Sequence, residues 1–403
     1  MTQQVPQHRV SRLISRRLVF ESLLHKGPIS RADLSKETGL SKQTISEIVD
    51  SFDQQGWVRE TGRTSGNVGR TAVLYEISRD TGYVVGVDLG GTKVTAAIAD
   101  IAGDILSEIT EPTDPRGGQA VLDQVVALAS QLTRNVRTSL KQVRSVVIGT
   151  PGVVSMETGG IDLAPNIAEL GGVDALGFFS KKFKGLVRIE NDVNLALLGE
   201  IWQGCAHDVS NVAFIALGTG IGLGIFSNGQ LIRGETGAAG EIGFLPLGRD
   251  PFTSEARIHG SLEFEVGAVG IVRRYDAAGG RNAADVRQIF EYFEEGDEIA
   301  RRVIGETSRM IALAIASVSA VLDPKLLVLG GSIGGRQEIL DLVREDLKGC
   351  APRMIEVRAS ALKNRAGVVG ALAAALSQLH EALFGVPDLP GDLALPVPKG
   401  VAA

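Results

Sequence analysis

Apolar residues near the start of the chain fall three and four positions apart. Val10, Leu13, Ile14, Leu18, Val19, Leu23 and Leu24 predict a helix over residues 9–25. Gly27-Pro28 ends it, because proline lacks a donor and restricts the residue before it. Ser30 caps a second short helix, with Asp33 at the capping-box position; Gly39 stops that helix, and Ser41 caps a third. The buried stripe of the third helix is Ile45, Ile48, Val49 and Phe52, which leaves Lys42, Gln43, Thr44, Ser46 and Glu47 near its exposed start. Two short helices around a glycine-containing turn, the second polar at its beginning, form a helix-turn-helix. Residues 57–61 and 72–77 read as a hairpin around a basic tip, the wing of a winged helix. The alternative is a three-helix packing module that binds no DNA.

The pattern changes at Tyr83, after a short joint at 78–82. Strand runs at 84–87, 94–99, 105–109, 145–148, 187–189, 212–217, 222–226, 326–329 and 354–359 alternate with helical runs at 119–140, 193–203, 297–322, 337–347 and 367–384. Strands and helices in alternation predict α/β architecture. The tail from Val386 holds Pro387, Pro390, Pro396 and Pro398 and reads as extended or disordered.

Charge sharpens this division. The first 80 residues carry twelve Lys/Arg against nine Asp/Glu, whereas the remainder carries 29 against 38. A basic head on an acidic body is the footprint of a nucleic-acid module joined to something else. The 403-residue length suits two or three domains. Cys205 and Cys350 are too few for a disulfide framework or a thiolate cluster. The sequence carries neither a signal-peptide pattern nor a run of about 18 apolar residues, so a cytoplasmic protein without a membrane partner is expected.

Glycine loops follow several strands. In Asp88-Leu89-Gly90-Gly91-Thr92-Lys93 the paired glycines let backbone N–H groups approach an anion, and Asp88 can hold a metal ion or its water. A plain hairpin turn is the alternative. Gly218-Thr219-Gly220-Ile221-Gly222 repeats the theme, and Gly330-Gly331-Ser332 follows a third strand. Two such loops suggest a grip on a nucleotide triphosphate, the third a border to its adenosine.

These loops, the order of elements and the winged helix in front resemble the ROK family of repressors, open reading frames and sugar kinases, over residues 9–385. The resemblance implies a two-lobed, actin-like (ribonuclease-H-type) fold with sugar and nucleotide in the cleft between the lobes. On that reading residues 1–80 are the winged helix-turn-helix head and 83–190, with the helix at 367–385, the small lobe. Residues 191–366 are the large lobe, and 386–403 the proline-rich tail. It also assigns the sugar ligands: Asn166, Asn191, Asp192, Glu241 and Glu263. In the family's kinases the aspartate at the position of Asp192 is the general base. The chain departs from the family pattern at Phe244, where a zinc-binding histidine is usual, and residues 245–263 contain no cysteine. A structural zinc, which needs four N/S ligands, is therefore not expected.

Two functions follow. The first is a sugar-responsive repressor, acting as a homodimer or homotetramer on double-stranded operator DNA, with no required cofactor. Its DNA-binding candidates are Arg16, Arg17, Ser41, Lys42, Gln43, Thr44, Arg63 and Arg70. The alternative is an ATP-dependent sugar kinase with an accessory head, using Mg-ATP at Asp88, Gly90, Gly91, Thr92, Lys93, Gly218, Thr219, Gly220, Gly330 and Gly331. The head favours the regulator, because a metabolic kinase has no need of residues 1–80.

Overall fold

The computed structural model describes residues 7–63, 71–154, 161–162, 167, 169–170 and 173–384. The head consists of α1 (Gln7–Lys26), β1 (Ile29–Ser30), α2 (Arg31–Thr38), α3 (Lys42–Gln54), β2 (Val58–Arg63) and β3 (Val73–Ile77). Ser30 caps α2 by accepting from the Asp33 N–H, and its hydroxyl donates back to the Asp33 carboxylate at 2.7 Å. Gly39 closes α2 with φ +71°, and its N–H reaches the Ser35 carbonyl. The three strands lie in the order β1-β3-β2. Phe20, Leu34, Ile45, Val49 and Phe52 are fully buried beneath them.

The body begins with β4 (Tyr83–Leu89), β5 (Lys93–Asp100), β6 (Ile105–Pro112), α4 (Gly118–Asn135) and β7 (Val143–Thr150). It continues through β8 (Val153–Val154), β9 (Ile161–Asp162), α5 (Ala175–Lys182), β10 (Leu186–Asn191) and α6 (Asp192–Gln203). Next come β11 (Val212–Leu217), β12 (Ile221–Ser227), β13 (Gln230–Leu231), α7 (Ser254–His259), α8 (Glu263–Val266), α9 (Ala268–Ala277), α10 (Val286–Glu295) and α11 (Glu298–Leu322). The last elements are β14 (Leu326–Gly330), α12 (Gly331–Gly334), α13 (Gln337–Cys350), β15 (Val357–Ala359) and α14 (Ala366–Phe384).

The chain divides into two compact units. One holds residues 1–148, 174–189 and 371–403; the other holds 149–173 and 190–370. In the first, a five-stranded sheet runs β10-β7-β4-β5-β6. The head shares this unit, and the joint at 78–82 is bonded on both sides. Ser78 N–H donates to the Trp57 carbonyl, the Thr81 hydroxyl to the Gly56 carbonyl, and Arg79 pairs with Asp100 and Asp104. Phe20 of α1 meets Phe52 and Trp57 edge-on within the head, and on its other side the imidazole of His380 at 5.3 Å. His380 is fully buried on α14, and burial pulls its pKa down to about 4, so it packs as a neutral ring.

The second unit is built on a sheet in the order β13-β12-β11-β14-β15, with β11–β14 and β14–β15 parallel and β11–β12 antiparallel. The helices α9, α10, α11 and α13 contribute Ile271, Tyr275, Phe290, Ile311, Ile315 and Val343 to its core. On α6, Glu200 is fully buried and accepts four bonds: from the Ser360 hydroxyl (2.6 Å) and the N–H groups of Cys205, Leu362 and Ala361 (2.9, 3.0 and 3.3 Å). Burial and the neighbouring Glu200 push the Cys205 thiol up to about 12, which leaves it a poor nucleophile at neutral pH. The helices Glu298–Leu322 and Lys363–Leu383 are long and apolar enough by composition to cross a membrane. Both turn most of their large apolar side chains into the protein core.

Candidate functional site

The reading surface of the head is prepared by the start of α3. Ser41 caps it, accepting the Thr44 N–H at 3.1 Å, and the two hydroxyls lie 2.8 Å apart. Both are thereby committed to the helix end. Lys42 and Gln43 remain exposed, Gln43 donating to Glu47 one turn on. Arg63 is exposed at the end of β2, while Arg70 lies outside the described residues. The structure gives Arg16 and Arg17 partners inside the head. The Arg16 guanidinium lies 4.6 Å from the centre of the Phe52 ring and donates to Ser51, and Arg17 pairs with Glu21 at 3.2 Å.

In the second unit, the junction of β10 and α6 places Asn191 and Asp192. Asn191 is the cap of α6: its Oδ1 accepts the N–H groups of Val193 and Asn194, and its Nδ2 donates to the Gly152 carbonyl at 3.1 Å. Asp192 follows at the first helical position, and desolvation holds its carboxyl above the usual range. Glu190 is buried behind them. Its Oε1 accepts from the Asn191 N–H and the Asn194 amide, and its Oε2 takes the Arg233 guanidinium at 2.8 Å. A buried carboxylate needs such a partner. Sequence reasoning does not single out Arg233; its one local signal is that of a cation in a glycine-rich, weakly polar stretch.

Glu241 is delivered by Gly240, whose φ of +102° excludes other residues; a Cβ there would overlap the Leu223 carbonyl oxygen. Glu263 opens α8 and accepts the Ile221 N–H at 3.0 Å. Burial raises the pKa of Glu241, and the charges of Glu263 and Asp192 raise it further. Burial raises Glu263 too, against the opposing effects of the Ile221 N–H and His259. The structure thus brings Asp192, Glu241 and Glu263 into one electrostatic group, with Asn191 beside Asp192. Asn166 lies outside the described residues. Desolvated carboxyls of this kind accept hydrogen bonds from a polyol, and one of them can remove a hydroxyl proton.

The glycine loops fall into two sets. In the first unit, Gly90 N–H donates to the Lys93 carbonyl, closing the β4–β5 turn, while Gly91 and Thr92 are exposed at its tip and Asp88 lies opposite Thr95. In the second, Gly218 and Gly330–Gly331 approach closely. A Cβ on Gly218 would lie 3.0 Å from the Ser332 hydroxyl, and one on Gly331, at φ +82°, would overlap the Leu217 carbonyl. Thr219 and Gly220 complete the loop that precedes β12, against Gly267 and Glu263 respectively. Among the described residues no group of three His, Cys, Asp or Glu side chains is placed to hold a metal ion. Phe244 is about half exposed, and the stretch after it supplies no thiolate, so these residues do not fit a structural zinc.

Known proteins resemble the chain in both head and body. Residues 16–70 match the MarR family, and residues 84–378 match the ROK family. A xylose repressor of Caldicellulosiruptor bescii is 26% identical over 393 residues, spanning 92% of this chain and 98% of that protein. A glucokinase of Halalkalibacterium halodurans is 32% identical over 316 residues, spanning 72% of this chain and 93% of that one. Among solved structures, a ROK family transcriptional regulator homologous to the Escherichia coli MLC protein superposes with a TM-score of 0.76 at 23% identity, over 93% of this chain and 98% of that one. With a winged helix before a ROK body that matches over almost three hundred residues, the chain belongs to the ROK family.

Proposed function

We propose that the protein is a sugar-responsive transcriptional regulator that represses carbohydrate-metabolism genes. The observation that carries this reading is the likeness to a xylose repressor through head and body alike, with 98% of that protein spanned. The head supplies a capped recognition helix with Lys42 and Gln43 outward. In the cytoplasm, a symmetric pair of chains presents two such helices to the half-sites of an operator. The sugar lies against Asn191, Asp192, Glu241 and Glu263, and it changes operator affinity only in so far as it favours one conformation of the chain.

The test is fluorescence anisotropy on DNA from upstream of the protein's own gene, with a panel of sugars. Salt-sensitive binding altered by one sugar is expected; a complete absence of sequence-specific binding would sink the proposal. In the same assay Lys42→Ala should lower affinity and flatten the plot of log affinity against log salt by about 0.9 for each phosphate no longer neutralised. An unchanged slope would remove Lys42 from the phosphate backbone.

Sugar binding should also depend on pH. The three carboxyls have raised pKa values in the folded protein, so folding favours their protonated forms and that part of stability declines as pH rises through the raised range. Hydroxyl donors from a sugar favour the ionised forms instead. Binding should therefore strengthen with rising pH and release protons. Calorimetry in buffers of different ionisation enthalpy reads this directly, and a binding heat independent of buffer would contradict it.

A second reading, an ATP-dependent sugar kinase carrying an accessory head, is favoured by the likeness to a glucokinase and by the presence of both glycine loops. In it the glycine loops of the second unit, Gly218, Thr219, Gly220, Gly330 and Gly331, hold the nucleotide, while Asp192 takes the proton of the attacking hydroxyl. Sugar-dependent ATP turnover that disappears in Asp192→Asn would support it.

A further inference from the structure

Arg31, at the first position of α2, carries out a task that helix formation does not require. Its Nη1 donates to the Ser46 hydroxyl at 2.7 Å, and its Nη2 donates to the Asp50 carboxylate at 2.6 Å and to the Tyr75 hydroxyl at 2.9 Å. The guanidinium also lies 4.9 Å from the centre of the Tyr75 ring. Tyr75 in turn donates to Glu60 at 3.3 Å, and Ser46 donates to Asp50 on the next turn of α3. Ser46 and Asp50 belong to the recognition helix, Tyr75 to one strand of the wing and Glu60 to the other. One planar fork thus ties together both elements of a winged helix that can face a duplex. The apolar contacts beneath them set distance but are poor at setting rotation, because hydrophobic burial is non-directional. Hydrogen bonds from a rigid fork fix direction.

We propose that Arg31 is a positioning residue for DNA recognition, which holds the recognition helix and the wing at the mutual angle needed to read base edges. This rests on the DNA-binding reading above and adds to it the origin of sequence discrimination. Misdirecting side chains by a fraction of an ångström weakens base contacts, which depend on bidentate geometry, far more than contacts to the phosphate backbone. Arg31 is therefore expected to govern selectivity more than total affinity.

The full chain would first select duplexes from a random-sequence pool. The selected duplex and a scrambled one of equal length then serve as probes for the wild type, Arg31→Gln, Arg31→Lys and Tyr75→Phe. The ratio of affinities for the two duplexes should fall about tenfold to hundredfold in Arg31→Gln, the discrimination that one bidentate base pairing supplies. The salt slope on the scrambled duplex should stay unchanged. Arg31→Lys, which keeps the charge but not the fork, should recover only part of the ratio. Tyr75→Phe keeps the ring and removes only the hydroxyl; it should reduce the ratio with its melting temperature little altered, which keeps the proposal testable if Arg31→Gln folds poorly. A salt slope reduced by about 0.9 in Arg31→Gln but kept in Arg31→Lys would overturn the proposal, since Arg31 would then touch a phosphate directly. A ratio unchanged in Tyr75→Phe and Arg31→Lys would overturn it as well, leaving a purely structural role. If the wild type selects no sequence, the DNA-binding reading itself falls, and the proposal with it.

Discussion

Phe20→Ala should destabilise the protein by roughly 3–5 kcal/mol, at the upper end for a core truncation. The ring is fully buried and makes edge contacts with Phe52, Trp57 and His380, so the hole it leaves opens into the head core and the joint at once. Collapse around the vacancy is hindered because one wall is the head and the other is α14. Chemical denaturation of the full chain would measure the loss, and a change below about 1 kcal/mol would show that the two walls do not depend on this ring. Phe20→Leu, which restores much of the volume, should recover more than half of the loss.

Glu200→Ala is expected to cost about as much, roughly 4 kcal/mol, because it removes a fully buried acceptor and leaves three N–H groups and the buried Ser360 hydroxyl without it. Glu200→Gln keeps one carbonyl oxygen as acceptor and should be markedly milder. Urea unfolding would rank the two, and equal losses would mean that the negative charge matters rather than the number of acceptors. The effect should extend to sugar binding. Glu200 and the pair Asn191–Asp192 stand at opposite ends of α6, so loosening the helix where it meets residues 360–362 slackens the carboxyl proposed to meet the sugar. Sugar affinity should therefore fall even in the milder variant.

Much of this architecture is legible in the sequence because local signals are strong. Ser30, Gly39 and Ser41 mark helix ends by hydrogen-bonding chemistry, and each lies at the end it announces. Asn191 likewise caps α6, and the same amide also bonds the Gly152 carbonyl. Residues 254–295 are less readable. Here α7, α8 and α9 have ten residues or fewer and are broken by Gly260 and Gly267, too short for a period of 3.6 to repeat. The carboxyl group is visible only as separate motifs. Nothing local says that Glu263 reaches the N–H of Ile221, 42 positions earlier. Arg16 illustrates the converse. A basic run ahead of a helix-turn-helix suggests phosphate, yet whether an arginine faces DNA or lies over Phe52 depends on helix packing, which charge counting does not contain.

The joint between head and body has a mechanical consequence. Composition changes sharply near residue 80, but stiffness does not. Backbone bonds at Ser78, the Arg79 bridge and the Phe20–His380 contact brace the joint. A reader on a loose tether could search for its half-site independently and would tolerate half-sites shifted in helical phase. This one is mounted like a blade on a handle, so in the proposed regulator a turn of the first unit's sheet would carry the reader with it. If two such chains pair on an operator as proposed, the permitted spacing of half-sites becomes a property of the whole chain rather than of a linker.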